Sequence, residues 1–279
     1  MNTAYSPRIE RGFTIAELMI ALLLGLILLG GVIQVFLSSR QTYSANEAMS
    51  RMQENGRFAL EFMARSARLG GYMEPTLLTG KPLPLVPTSG SGKCSVPNAV
   101  QALLCSSNGA GSASDGVAFM FQPPLIDGAR RDCLGNTIAS NTDLIINHFA
   151  IIPAAGTTPA ALGCRSFNAT TGDWITGGGP VLQALVEGVD ALQVLYGVDS
   201  GGDYRSANQY LSANRVGNWD KVRSVRIAVL ANSVETLNPA PAARQFVLLD
   251  ASPLDAAALG NDNRARQIFT TTIQLKNFE

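Results

Sequence analysis

Residues 18–37, LMIALLLGLILLGGVIQVFL, are the feature that most narrows what this chain can become. These 20 residues form a helix long enough, at ~1.5 Å rise per residue, to cross a ~30 Å hydrocarbon core. Gln34 is the one polar side chain in the run, Glu17 stands at its mouth, and no further charge occurs until Arg40. An ionisable group drawn into such an environment costs roughly 2.5–3.5 kcal/mol, so Glu17 calls for a partner. A secretory signal peptide is a poor alternative. Its apolar region is shorter, roughly 7–15 residues, and ends at a small-residue cleavage site, whereas SSRQTYSANEA follows here.

The informative junction lies before the run. A short leader carrying Arg8 and Arg11 ends at Gly12, and Phe13 opens GFTIAELMIAL. This stretch resembles the prepilin signal of type IV pilins and type II secretion pseudopilins, in which a basic leader is followed by Gly, Phe and a Glu five residues into the mature chain. The resemblance implies cleavage between Gly12 and Phe13 by a prepilin peptidase, N-methylation of the new amine on Phe13, and an assembly charge pair between Glu17 and the amine of a neighbouring subunit. Two unit charges ~4 Å apart attract by about 4 kcal/mol at an effective dielectric near 20, which offsets the cost of the acid.

Lys plus Arg and Asp plus Glu number 21 each, giving zero net charge, and no basic cluster marks a nucleic-acid surface. The four cysteines, Cys94, Cys105, Cys133 and Cys164, all follow the apolar run, where an oxidising compartment allows disulfides. Of the three pairings, spacing favours Cys94–Cys105 and Cys133–Cys164. A zinc site is disfavoured because no C-x-x-C occurs and His148 is the only histidine. No metal or cofactor is expected. Asp199 and Asp203 in DSGGD lack the further oxygen ligands of a calcium loop and fit a Gly-rich hairpin turn better, and the NAT sequon at Asn168 fits chance.

Helical spacing continues past the run. Ala45, Met49, Met52, Gly56, Ala59, Met63 and Ser66 form a small, mainly apolar face, with Glu47–Arg51, Arg57–Glu61 and Glu61–Arg65 as i,i+4 pairs elsewhere. Gly70, Gly71 and Pro75 end the helix. Residues 75–116 look irregular. Strand signals follow in GVAFMFQ, DLIINHFAII, GVDALQVLYGVD, KVRSVRIAVLA, RQFVLLD and RQIFTTTIQL. Leu192, Val194, Tyr196 and Val198 alternate onto one face, as do Phe269, Ile273 and Leu275. The expectation is an α+β type IV pilin fold: a long N-terminal helix, membrane-spanning in its first half, packed on an antiparallel sheet domain with long irregular loops. The expected divisions are a leader at 1–12, a helix at 13–69 (membrane part about 18–37, amphipathic part about 40–69) and an extracytoplasmic β-rich domain at 70–279.

SSRQTYSANEAMSRMQENGRFALEFMARSARLGGY is similar to the PilW family of minor pilins. RDCLGN, LVEGVDALQVLYGVDSGGD, ANQYLSANRVGNWDKVRSVRIAVL and IFTTTIQLKN extend the similarity through the globular region. The resemblance is weakest at 75–116 and 235–262. It implies a subunit that helps prime a type IV pilus or sits near its tip. Its implied partners are other minor pilins, with the major pilin and a tip adhesin as further candidates. It would lie in the bacterial inner membrane with its domain in the periplasm before joining the pilus. The competing role within the same fold is a J-type pseudopilin of type II secretion. An anchored periplasmic enzyme is the competitor from a different class. It finds no G-x-S-x-G, H-E-x-x-H or phosphate-loop pattern in the chain, and no catalytic residue is expected.

Overall fold

Helix α1 runs Ile15–Leu69. The computed structural model describes residues 12–75, 82–89, 94, 96–156, 158–175, 179–201, 206–255 and 257–277. Arg8, Arg11 and Asp203 lie outside them. The chain divides into two units, Met1–Glu47 and Ala48–Glu279, and α1 contributes to both. In the first unit the helix buries none of its apolar surface: the large side chains from Leu18 to Leu37 are 50–69% exposed. Their best window reaches a mean hydropathy of 2.7, so this helix is long and apolar enough to cross a membrane.

In the second unit, α1 turns small residues inward. Ala48, Met52, Gly56, Ala59, Met63, Ser66 and Ala67 are buried, while Met49 points outward and Ala48 takes the inner place. Gly56 lies tight against the sheet, where a Cβ would collide with the Phe269 ring. Glu61 pairs with Arg68 at 3.3 Å, seven residues on, rather than with Arg57 or Arg65. Gly71 caps the helix at φ 76°, and its N–H donates to the Met120 carbonyl at 2.9 Å.

Two antiparallel sheets form where a single one was expected. The first contains β1 (Val117–Phe121), β2 (Ile145–Ile152), β3 (Ala161–Asn168), β4 (Asp173–Trp174) and β5 (Gln183–Glu187). Its order is β1-β2-β3-β4, with β5 also on β3. The second contains β6 (Val189–Val198), β7 (Gln209–Leu211), β8 (Val222–Asn232) and β9 (Arg266–Gln274), in the order β7-β6-β8-β9. Gly188 alone separates β5 from β6, so the chain changes sheets at one residue. Its φ of 72° suits glycine, and a Cβ would lie 2.7 Å from Val234.

The main core joins Ala59, Met63 and Ala67 of α1 to Phe119, Phe149, Leu192, Tyr196 and Ile227 of both sheets. A second cluster under the short helix α2 (Asn98–Leu104) packs Leu104, Cys94 and Cys105 on Ala118, Ile146 and Phe167. The segment 75–116 is therefore less irregular than its composition suggests. RQFVLLD is not a strand. Phe246 makes one isolated bridge to Leu254, and Phe246, Leu248 and Leu254 cover Ala228 and Leu230 on the second sheet. Their apolar character serves that cover, with no ladder involved.

Asp115 stitches the loop before β1 to β6. Its carboxylate accepts the Gly109 N–H at 2.7 Å and the Val194 N–H at 2.8 Å. Burial pushes its pKa up from 3.8 to about 6 against those two bonds, with Asp250 adding repulsion. His148 on β2 is buried, and its Nδ1 accepts from Arg165 Nε at 3.3 Å. Burial and the Arg165 charge push its pKa down from 6.5 to about 3. The two groups act in opposite directions. The unfolded chain protonates His148 below about 6.5 while the folded chain resists until about 3, so this term destabilises on acidification. Folded Asp115 takes its proton near 6 and unfolded Asp115 only near 3.8, so this term stabilises over that window. Wild-type stability should therefore vary little between pH 6 and 4. His148→Gln, which keeps an acceptor for Arg165, should gain stability on acidification relative to wild type, and Asp115→Asn should lose it. Urea midpoints at pH 4 and 6 check this, and parallel shifts in all three chains would refute it.

Candidate functional site: the N-terminal junction and its anchored domain

Glu17 opens α1 in a reciprocal cap. The Thr14 N–H and hydroxyl both donate to Glu17 Oε2 at 3.0 Å, and the Glu17 N–H donates to Thr14 Oγ1 at 3.3 Å. This is the capping box, in which Thr at the N-cap and Glu three residues on satisfy each other's backbone donors. The T-x-x-E spacing was available in the sequence, and treating Glu17 only as an acid near a membrane missed it. Oε2 carries both contacts from Thr14, and Oε1 has no hydrogen-bond partner among the described residues. The carboxylate thus presents an open edge at a helix N-terminus, where the helix dipole favours negative charge. Phe13 is 90% exposed beside it, and nothing lies within 4 Å of where a Gly12 Cβ would sit.

The structure pairs Cys94 with Cys105 and Cys133 with Cys164, with Cα atoms 6.1 and 6.5 Å apart. The first bond clips α2 onto the outer face of the first sheet. The second ties the loop before β2 to β3 over a buried polar cluster. There Asn147 Oδ1 accepts from Ser166 Oγ at 2.8 Å and from the Cys133 N–H at 3.4 Å, and Asn147 Nδ2 donates to Ser66 on α1 at 3.3 Å. One disulfide and one amide therefore fasten α1, β2, β3 and the loop together.

The remaining candidates sit apart from the junction. Asp199 is buried, and its N–H donates to the Lys221 carbonyl at 2.9 Å. Asn168 Nδ2 donates to Asp143 at 2.7 Å, and its Oδ1 accepts from the Thr170 and Thr171 N–H groups, which makes it a turn residue. Among the described residues, no three His, Cys, Asp or Glu side chains gather as a metal site.

An apolar N-terminal helix that opens on GFTIAE and packs, further along, on antiparallel sheets is an α+β layout consistent with the type IV pilin fold. A family model described as the Prokaryotic N-terminal methylation motif matches residues 7–33, and one described as Type IV Pilus-assembly protein W matches residues 148–277. No curated protein and no solved structure gives a significant match. Over residues 148–277 the chain is similar to the PilW family, and together with the N-terminal motif this supports a type IV pilin-like protein with a minor pilin-like role in a type IV pilus. The motif and the apolar helix suggest membrane anchoring.

Proposed function

We propose that the chain is a minor pilin subunit that helps prime assembly of a type IV pilus, or enters it near the tip, together with other minor pilins. The observation that carries this is a lone carboxylate, Glu17, with an open oxygen at the head of an otherwise uncharged membrane-length helix. Before assembly, that helix holds the chain in the inner membrane with its disulfide-bonded domain in the periplasm. A prepilin peptidase cuts between Gly12 and Phe13, removing leader 1–12 and freeing the Phe13 amine for methylation. Cutting thus creates on each subunit the cation that a neighbour's Glu17 lacks. The rest of the mature chain divides into the helix at 13–69 and the domain at 70–279. The role is structural, through subunit contact.

Glu17→Ala tests the role. It should spare membrane insertion, because it removes a charge from an apolar helix, and it should reduce recovery of this subunit in sheared pili at least tenfold. Normal pilus number with normal recovery would contradict the assignment. Gly12→Val tests the processing. Among the described residues nothing crowds a side chain at Gly12, so the defect should be confined to cleavage, and the precursor should persist uncut. Mass spectrometry of the wild-type mature chain should show an N-terminus at Phe13, and any other start would overturn the junction.

A further inference from the structure

Strand β9 ends the second sheet, and among the described residues nothing is hydrogen-bonded along its outer side. The Leu275 N–H donates to the Arg223 carbonyl at 2.8 Å, continuing the β8 register one residue past β9. In an antiparallel pair such bonds alternate. Phe269, Thr271 and Ile273 therefore bond to β8, and the backbone groups of Ile268, Thr270, Thr272 and Gln274 point outward. Exposed edges are commonly protected by lysine, proline or a bulge. β9 has none of these. No charge, proline or glycine lies between Arg266 and Lys276, and its register with β8 runs unbroken over nine pairs, whereas that between β6 and β8 shifts.

Beside this edge, between α1 and β9, lies an open groove of about 770 Å³. Phe58, Leu60 and Ala64 of the helix and Thr270 and Thr271 of the strand line it, with Glu54, Arg57, Glu61 and Arg68 among its polar wall. Inward side chains of one further strand would enter this space. Two acids against two bases leave that wall without net charge, and the outward residues Ile268, Thr270, Thr272 and Gln274 are neutral. A charge of either sign on an incoming strand would meet both signs on that wall and find no net attraction to offset its desolvation.

We propose that the β9 edge receives an extended strand from a different polypeptide. That strand is neutral and β-branched, bonds to the backbone of Ile268–Gln274, and sends alternate apolar side chains into the groove against Leu60 and Ala64. A second copy of this chain cannot pair through its own β9, because that strand already commits the corresponding face to its own helix through Phe269 and Gly56. The proposal uses the subunit role only for the source of the strand, another member of the same assembly.

The test uses the full chain in detergent with an acetylated, amidated peptide of alternating threonine and valine as the probe. A copy of the peptide with proline at its centre serves as control. Deuterium exchange at the Thr270 and Thr272 amides should be fast without peptide, at least tenfold slower with the probe, and unchanged with the control. Thr270→Pro in the chain removes an N–H that β8 does not use, so melting should be preserved and the probe's protection lost. Outward amides already slow without peptide, no slowing with the probe, or equal protection of Thr270→Pro would each overturn the proposal. So would a Thr270→Cys chain that forms disulfide-linked dimers of itself through that edge. This readout on purified chain can fail while recovery of the subunit in sheared pili still depends on Glu17, so the two ideas stand or fall separately.

Discussion

Arg266→Ala lowers the unfolding free energy of the globular unit by about 3–5 kcal/mol, the range seen when one member of a buried ion pair is removed. The guanidinium is 8% exposed and fully used. Nε donates to Asp190 Oδ2 at 2.7 Å, Nη1 to Asp262 Oδ1 at 2.7 Å and Nη2 to Asp262 Oδ2 at 2.8 Å, and Nη2 also reaches the Leu259 carbonyl at 3.2 Å. The second oxygen of Asp190 accepts from Asn232 Nδ2 at 2.7 Å. One side chain thus fastens the start of β6, the end of β8 and the loop that covers the second sheet. Its removal leaves the buried Asp190 carboxylate with Asn232 alone, and the quarter-exposed Asp262 carboxylate with Arg264 at 3.5 Å as its remaining cation. Lysine cannot repeat the forked geometry, so Arg266→Lys should recover less than half of the loss.

Acidity gives a second readout for the same substitution. Burial opposes the charge on Asp262, but hydrogen bonds and attraction from Arg266, with help from Arg264, outweigh it and hold the pKa below 3.8. A depressed carboxylate stabilises the fold above its unfolded pKa and loses that contribution as pH falls through the folded value. In Arg266→Ala the Asp262 carboxyl loses most of what holds its pKa down, so that depression is no longer there to be lost on acidification. The gap between variant and wild type should therefore narrow below pH ~4. Urea titrations at pH 7 and pH 3.5 check both parts. A loss under 1 kcal/mol, or a gap that does not change with pH, would show that the cluster is not a buried ion network.

Nothing in the local sequence announces this cluster. Arg266 reads as a charge at the start of a strand, and Asp190 is 76 residues away. The same limit explains β3. Its residues ALGCRSFN are nearly all buried, yet glycine, arginine and serine among them break the apolar pattern that marks β6. Arg165 and Ser166, which look like surface residues, are satisfied inside by the Pro180 carbonyl, His148 and Asn147. RQFVLLD failed in the opposite sense, because its apolar residues cover a sheet from outside. Helix α1 was legible because each half carries a strong signal, a 20-residue run broken only by Gln34 and then a repeat of small residues. Glu17 was legible as an isolated charge, whereas its reciprocal bonds with Thr14 needed the T-x-x-E spacing to be weighed as a cap.

Cys133→Ser should destabilise the domain more than Cys94→Ser, and the reason goes beyond loop length. The bonds close sequence separations of 31 and 11 residues, for which the chain-entropy model gives about 4 and 3 kcal/mol. That difference alone is modest, but the surroundings widen it. Cys164 is fully buried in the main core, and Cys133 Sγ lies 3.2 Å from Ser166 Oγ above the amide that reaches α1. Breaking this bond frees the loop at 130–138 and loosens the polar cluster of buried Asn147, Ser166 and Ser66. Cys94 and Cys105 belong to the separate cluster under α2, where Leu104, Val96 and Phe167 continue to pack. A unit of this size shifts by roughly 2–4 °C per kcal/mol. Cys133→Ser should thus lower the melting temperature by about 8–16 °C, while Cys94→Ser should lower it less and raise exchange mainly around Val86 and residues 94–105. Equal melting losses would mean that the Asn147 cluster holds without its disulfide. Non-reducing peptide mapping that found Cys94 joined to Cys133 or Cys164 would overturn the pairing on which both values rest.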